Sequence, residues 1–146
     1  MEFRNSNYAF IDSVETELIE TSEGKLKLIY RGISAPNETF SPSTKHKGIF
    51  VRYVTKEEID SGFQASTFAL FKDFIFQVDR FRNGKYRLTT SDDNAYKALG
   101  LNMVDRGWYD IEVPREEIQK MWEERKPSGY GFPFPEGMKE VEEIEF

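Results

Sequence analysis

The chain has one histidine, His46, set between Lys45 and Lys47. Imidazole is the side chain most often used to move protons and activate nucleophiles near neutral pH. His46 lies in a basic stretch with no orienting partner nearby in sequence, and it reads as a solvated loop residue. There are no cysteines, which removes disulfides, thiolate nucleophiles and Cys-ligated zinc together. Carboxylates are plentiful, and Asp92, Asp93, Asp110 and Glu112 form the nearest cluster, the ingredients of a two-carboxylate hydrolase or a magnesium site. The competing reading is structural, with Asp92 a helix cap and Asp110 and Glu112 on the polar side of a strand. Gly129-Tyr130-Gly131 is a lone G-x-G with no strand before it and no helix after it, and it reads as a bend. No residue is therefore assigned a catalytic, cofactor-binding or metal-binding role, and no cofactor is expected.

A second kind of chemistry is offered by Lys72, Arg80, Arg82, Lys85 and Arg87, which flank Phe71, Phe81 and Tyr86. Basic side chains interleaved with aromatics on a sheet are the parts of a single-strand nucleic-acid platform. The plainer account pairs these cations with neighbouring acids on a solvated sheet face. A sequence pI near 5.0 argues for the plainer account, which leaves nucleic acid as the alternative partner.

The net charge of −6 is unevenly spread. Residues 45–91 carry +4, residues 92–125 carry −4 and residues 136–146 carry −4. Such polarity orients a charged partner where the fold keeps each segment on its own face. At 146 residues the chain is expected to form a single domain, 1–146, large enough for one real core. The thirteen Phe, seven Tyr and two Trp supply much of that core. Charge throughout the first thirty residues and the lack of an apolar run predict neither a signal peptide nor a membrane span, hence a cytoplasmic protein.

The elements that must position these residues follow from pattern. Val14 to Ile33 alternates around Ser22-Glu23-Gly24 as a β-hairpin. Residues 34–47, with Pro36 and Pro42, have no periodicity and read as a mobile loop. Gly48 to Val54 is a strand, and Thr55-Lys56-Glu57-Glu58 has the form of a capping box opening a short helix that Ser61-Gly62 stops. Asn83-Gly84 joins Asp73–Arg82 to Lys85–Thr90 as a tight hairpin, with Phe74, Phe76 and Val78 on its core face. Asp92 caps a helix ended by Gly100, and Trp108 to Val113 is a strand. Pro114, followed by Glu116 and Glu117, opens a further helix with Ile118, Met121 and Trp122 as its apolar stripe, ended by Pro127. The tail of residues 136–146 is acidic, an edge strand or a solvated end. No internal repeat is evident. The expected architecture is α+β, an antiparallel sheet of about five or six strands with two or three short helices.

Leu99-Gly100, Asp105-Arg106-Gly107-Trp108-Tyr109, Trp122-Glu123-Glu124-Arg125 and the segment Pro127 to Pro135 together resemble the C-terminal half of small bacterial immunity proteins, the cytoplasmic antidotes of polymorphic or contact-dependent growth-inhibition toxins. The resemblance covers residues 99–137. It implies a non-enzymatic inhibitor that binds a cognate toxin domain and blocks it. An acidic inhibitor suits a basic nuclease target, because complementary charge speeds association. Its contacts would be Glu116, Glu117, Glu123 and Glu124 on the acidic helix, with Tyr130, Phe132 and Phe134 as aromatic anchors. The plainer reading of those aromatics is that they cover the open side of the core.

Overall fold

The computed structural model describes residues 3–146. It contains twelve strands, one α-helix and two three-residue 3-10 turns, in place of the expected five or six strands and two or three helices. The chain divides into two compact units, an N-terminal one of Ser6–Ala65 and Arg125–Met138 and a C-terminal one of residues 3–5, 66–124 and 139–146.

In the N-terminal unit, β1 (Ser6–Ile11), β2 (Val14–Glu20), β3 (Leu26–Arg31), β4 (Ser41–Pro42) and β5 (Ile49–Val54) precede a 3-10 turn at Lys56–Glu58 and the first half of β6 (Ser61–Phe71). All its pairs are antiparallel: β1 with β2 and β6, β2 with β3, and β5 with β3 and β4. The hairpin around Gly24 forms as its sequence predicts, and Gly24 takes φ +80. The loop at 34–47 is tied down in its middle, where Phe40 is buried and Ser41–Pro42 pairs with β5. Ala9, Ile11, Leu18, Leu26, Leu28, Val54, Ile59 and Phe132 form one apolar core.

The C-terminal unit takes the second half of β6, then β7 (Phe74–Arg82), β8 (Lys85–Thr90), α1 (Asp93–Leu99), β9 (Asn102–Asp105), β10 (Trp108–Pro114), a 3-10 turn at Arg115–Glu117, the first part of β11 (Lys120–Pro127), and β12 (Val141–Glu143). Its pairs are β6 with β7, β7 with β8, β10 with β8 and β9, and β11 with β6 and β12. The Asn83-Gly84 hairpin forms as predicted, both residues lying at positive φ, and Phe76 and Val78 are buried. The helix capped by Asp92 also forms, with the carboxylate accepting from Asn94 N–H at 2.8 Å and Gly100 closing it at φ 66. The acidic tail contributes an edge strand, β12.

Two expected helices are absent. Thr55-Lys56-Glu57-Glu58 makes only a 3-10 turn, and Ser61-Gly62, read as its stop, opens β6. The helix expected from Pro114 is a 3-10 turn followed by a strand. Pro114 and the two following glutamates satisfy one turn, but Gln119 N–H then donates to Leu70 O at 2.9 Å instead of continuing a helical ladder. From there the chain alternates, Met121 and Glu123 buried, Trp122 and Glu124 on the other side.

The two units are a repeat that the sequence conceals. Each runs through the same order of strands, with β4 and β5 answered by β9 and β10 and the 3-10 turn by its counterpart. The registers agree: Leu18 faces Leu28 and Val78 faces Leu88, while Leu28 faces Arg52 and Leu88 faces Ile111. Single bonds agree as well. Asp60 N–H donates to Phe10 O at 3.0 Å as Gln119 N–H does to Leu70 O at 2.9 Å, and each side chain accepts from its hairpin turn, Asp60 from the first turn residue Asp12 and Gln119 from the second turn residue Asp73. In sequence the correspondence surfaces in Val54-Thr55-Lys56-Glu57-Glu58-Ile59 and Val113-Pro114-Arg115-Glu116-Glu117-Ile118. It surfaces again in Gly24-Lys25 and Gly84-Lys85 and in Leu28 and Leu88, whereas other paired positions share burial and not identity, as with Ile11 and Phe71 or Leu26 and Tyr86.

Candidate interaction surface

The chemically suggestive residues of the sequence are each given a local partner. His46 is exposed, its backbone N–H donating to Ser43 Oγ at 3.3 Å. Asp92 is occupied as the α1 cap, and Asp93 accepts the hydroxyl of Tyr109, which stacks on Tyr96 with ring centroids 4.2 Å apart. That hydrogen bond, with burial, raises the Tyr109 phenol above its ordinary pKa. Asp110 and Glu112 project from β10 to arginines of β8 and β7, Arg87 at 2.8 Å and Arg80 at 3.2 Å. The four carboxylates therefore serve a cap, a phenol and two ion pairs rather than converging on one point.

The same bonds engage two cations of the basic hairpin, Arg80 and Arg87, while Arg82 and Lys85 are exposed. Arg87 is gripped by Asp79 at 2.5 Å and Asp110 at 2.8 Å, and these bonds, the Asp79 one first, raise its pKa further. Lys72 lies over the ring of Phe71, 5.4 Å from its centroid. A phosphate approaching this face would compete with carboxylates already in place.

The residues expected to contact a partner are dispersed by strand geometry. Glu116 and Glu117 are exposed in the 3-10 turn of the C-terminal unit. Glu123 and Glu124 are neighbours on a strand, so they point to opposite faces. Glu124 is exposed, whereas Glu123 is buried against Arg4. In the N-terminal unit Phe132 belongs to the core, with Tyr130 packed against that core 6.0 Å from the Phe132 ring and Phe134 half-buried. Phe132 has a definable job there. Gly62 stands where the other unit has Met121, and a Cβ on Gly62 would lie 3.0 Å from Phe132 Cδ2. The phenyl ring thus occupies space that a side chain at position 62 would otherwise need.

Sequence pattern alone did not single out the outer face of the C-terminal unit's β6, β7, β11 and β12. There a hollow of about 480 Å³ is lined by Leu70, Ile75, Lys120, Trp122, Val141 and Glu143. Leu70 and Ile75 are cross-strand partners, as are Trp122 and Glu143. The Trp122 ring is backed by Phe68, centroids 6.2 Å apart and planes 26° from parallel, and its N–H donates to Glu124 Oε2 at 2.8 Å. Lys120 Nζ lies 6.0 Å from the Trp122 ring and 4.0 Å from Glu143. Ile75 and Val141 are each 58% exposed. A held indole, aliphatics exposed to water and a charged rim are thus brought together. The signal available in sequence was strand alternation through Leu70, Ile75 and Trp122, hidden by reading residues 114–127 as a helix.

No described helix is long and apolar enough to cross a membrane. Residues 3–129 match the model of a family described as "Uncharacterised conserved protein UCP033725". No curated protein and no solved structure matches the chain.

Proposed function

For this chain, which belongs to the family of uncharacterised conserved protein UCP033725, we propose a binding function: a cytoplasmic immunity protein that neutralises a cognate toxin domain by non-enzymatic association. One observation carries the reading. Within the C-terminal unit, arginines of the basic hairpin are engaged by Asp79, Asp110 and Glu112, while Glu116, Glu117, Glu124 and Glu143 face solvent. Exposed charge of this sign attracts a basic partner, a nuclease domain being one such class, and raises the rate of encounter. The resemblance over residues 99–137 falls largely in this unit.

The test is genetic and biophysical. The chain is co-expressed with the toxic C-terminal domain of the product encoded directly upstream, and the purified pair is examined for a one-to-one complex. Protection of the cells together with a salt-sensitive complex is the expected result. Absence of both protection and complex would reject the reading. The alternative of a nucleic-acid module is decided by gel retardation with a labelled single strand at low salt, where salt-dependent retardation would favour that module.

A further inference from the structure

We propose that the hollow beside Trp122 is a docking subsite for a partner protein that inserts an apolar side chain flanked by a lysine or arginine. The inference rests on the binding role proposed above and gives that role a contact point. The stacked pair Phe68 and Trp122 has its counterpart in Tyr8 and Phe63, 5.4 Å apart with planes 24° from parallel. Phe63 is wholly buried and also meets the ring of Phe10 at 6.2 Å. Trp122, at the same place in the fold, keeps access to solvent.

Leu70 and Ile75 face one another across β6 and β7, as Phe10 and Glu15 do across β1 and β2. Where the N-terminal unit exposes a glutamate, the C-terminal unit exposes an isoleucine. The fold therefore accepts a charge at this position. An isoleucine left 58% exposed beside Trp122 and Val141 adds apolar surface that folding does not require.

Glu124 holds the indole N–H, Glu143 lines the hollow as the cross-strand neighbour of Trp122, and residues 136–146 carry a net −4. Lys120, the cation of the lining, lies 4.0 Å from Glu143. An apolar side chain in the hollow with a cation beside it would meet complementary surface on both counts.

The chain contains two tryptophans, Trp108 and Trp122, so the full-length Trp108→Phe variant reports on Trp122 alone. The probe is a synthetic peptide alternating lysine with leucine and phenylalanine, beside a control with glutamate for lysine. Saturable blue-shifted emission and acrylamide protection with the basic peptide, weakened about tenfold or more by Ile75→Glu and absent with the acidic control, is the expected result. No shift, or a shift that Ile75→Glu leaves unchanged, overturns the proposal. Self-association in sedimentation velocity that Ile75→Glu abolishes would give the hollow to a second copy and likewise overturn it. Ile75→Glu installs the residue used at the repeat position, and a retained urea midpoint shows that it folds. In the toxin assay, full protection by Ile75→Glu sinks the hollow and leaves the immunity reading standing. Failure of the unaltered chain to protect sinks the immunity reading, with the peptide titration still deciding the hollow.

Discussion

Arg4 holds Glu123 through two parallel bonds, Nε to Oε1 at 2.8 Å and Nη2 to Oε2 at 2.9 Å, and Glu123 is only 4% exposed. The pair ties the segment before β1 to β11 inside the C-terminal unit, and Thr67 reinforces the tie by exchanging hydrogen bonds with the backbone of Arg4. Removing Arg4 takes two charge-assisted hydrogen bonds from a carboxylate that is almost wholly buried, where lost bonds to a charge are costly. Arg4→Met should therefore destabilise the protein by about 3 kcal/mol. Arg4→Met combined with Glu123→Leu should recover a large part of that loss. Urea denaturation of the two variants checks both, and a double variant no better than the single would contradict the account.

Gly62 and Phe132 should be energetically coupled. A methyl on Gly62 would meet Phe132 Cδ2 at 3.0 Å and Tyr8 O at 3.1 Å, so Gly62→Ala should cost about 1–3 kcal/mol through overpacking. Phe132→Ala should cost about 3–5 kcal/mol through the cavity it leaves. In the Phe132→Ala background the penalty of Gly62→Ala should shrink, because the ring it collides with is gone. Strictly additive effects in a double-mutant cycle would mean that the ring does not fill that space.

The hairpin turns show why part of this fold was legible in sequence and part was not. Asn83-Gly84 announces a two-residue turn with both residues left-handed, and it was readable. Asp12-Ser13 and Lys72-Asp73 adopt the same backbone, at φ 49 and 65 and at φ 47 and 69, without a glycine to advertise it. Missing those two turns hid β1 and the separate identity of β6. The repeat was hidden by the same tolerance, since its core accepts Thr16 or Phe76 and Gly62 or Met121 at matching places as long as each cavity is filled. The helical pattern after Pro114 is an imitation, because buried Ile118 just beyond the 3-10 turn and buried Met121 at the start of β11 stand three apart in sequence. That misreading also displaced the candidate contacts, turning Glu123 inward and leaving Trp122 unrecognised.

Those turns give a third prediction. Left-handed backbone costs an ordinary L-residue about 1–2 kcal/mol, and Lys72 and Asp73 both bear it. Replacing Lys72-Asp73 with the Asn-Gly pair used by the other hairpin should raise stability by about 1 kcal/mol. The bond from the backbone N–H of residue 73 to Gln119 Oε1, 3.4 Å, does not depend on the Asp73 side chain. Thermal melting checks the gain, and a lower midpoint would show that the Lys72 or Asp73 side chain contributes more than its backbone costs.

The last prediction concerns acid. Glu58 accepts the Thr55 backbone N–H at 3.0 Å and Arg52 Nη2 at 3.0 Å. The Thr55 bond first, and then Arg52, holds its carboxyl below the ordinary value of 4.5. A carboxylate depressed in the folded state stabilises fully above its unfolded pKa, and the contribution is lost as pH falls through the folded one. Glu58→Gln should lower the urea midpoint at pH 7. The gap from the unaltered protein should hold down to about the ordinary 4.5 and close below it. Its repeat counterpart Glu117 follows Pro114, which has no N–H to donate, so Glu117→Gln has no such bond to lose and should leave the midpoint unchanged throughout. A Glu58→Gln gap that persists in acid, or an equal effect at Glu117, would show that the backbone bond at Thr55 is not what the carboxylate supports.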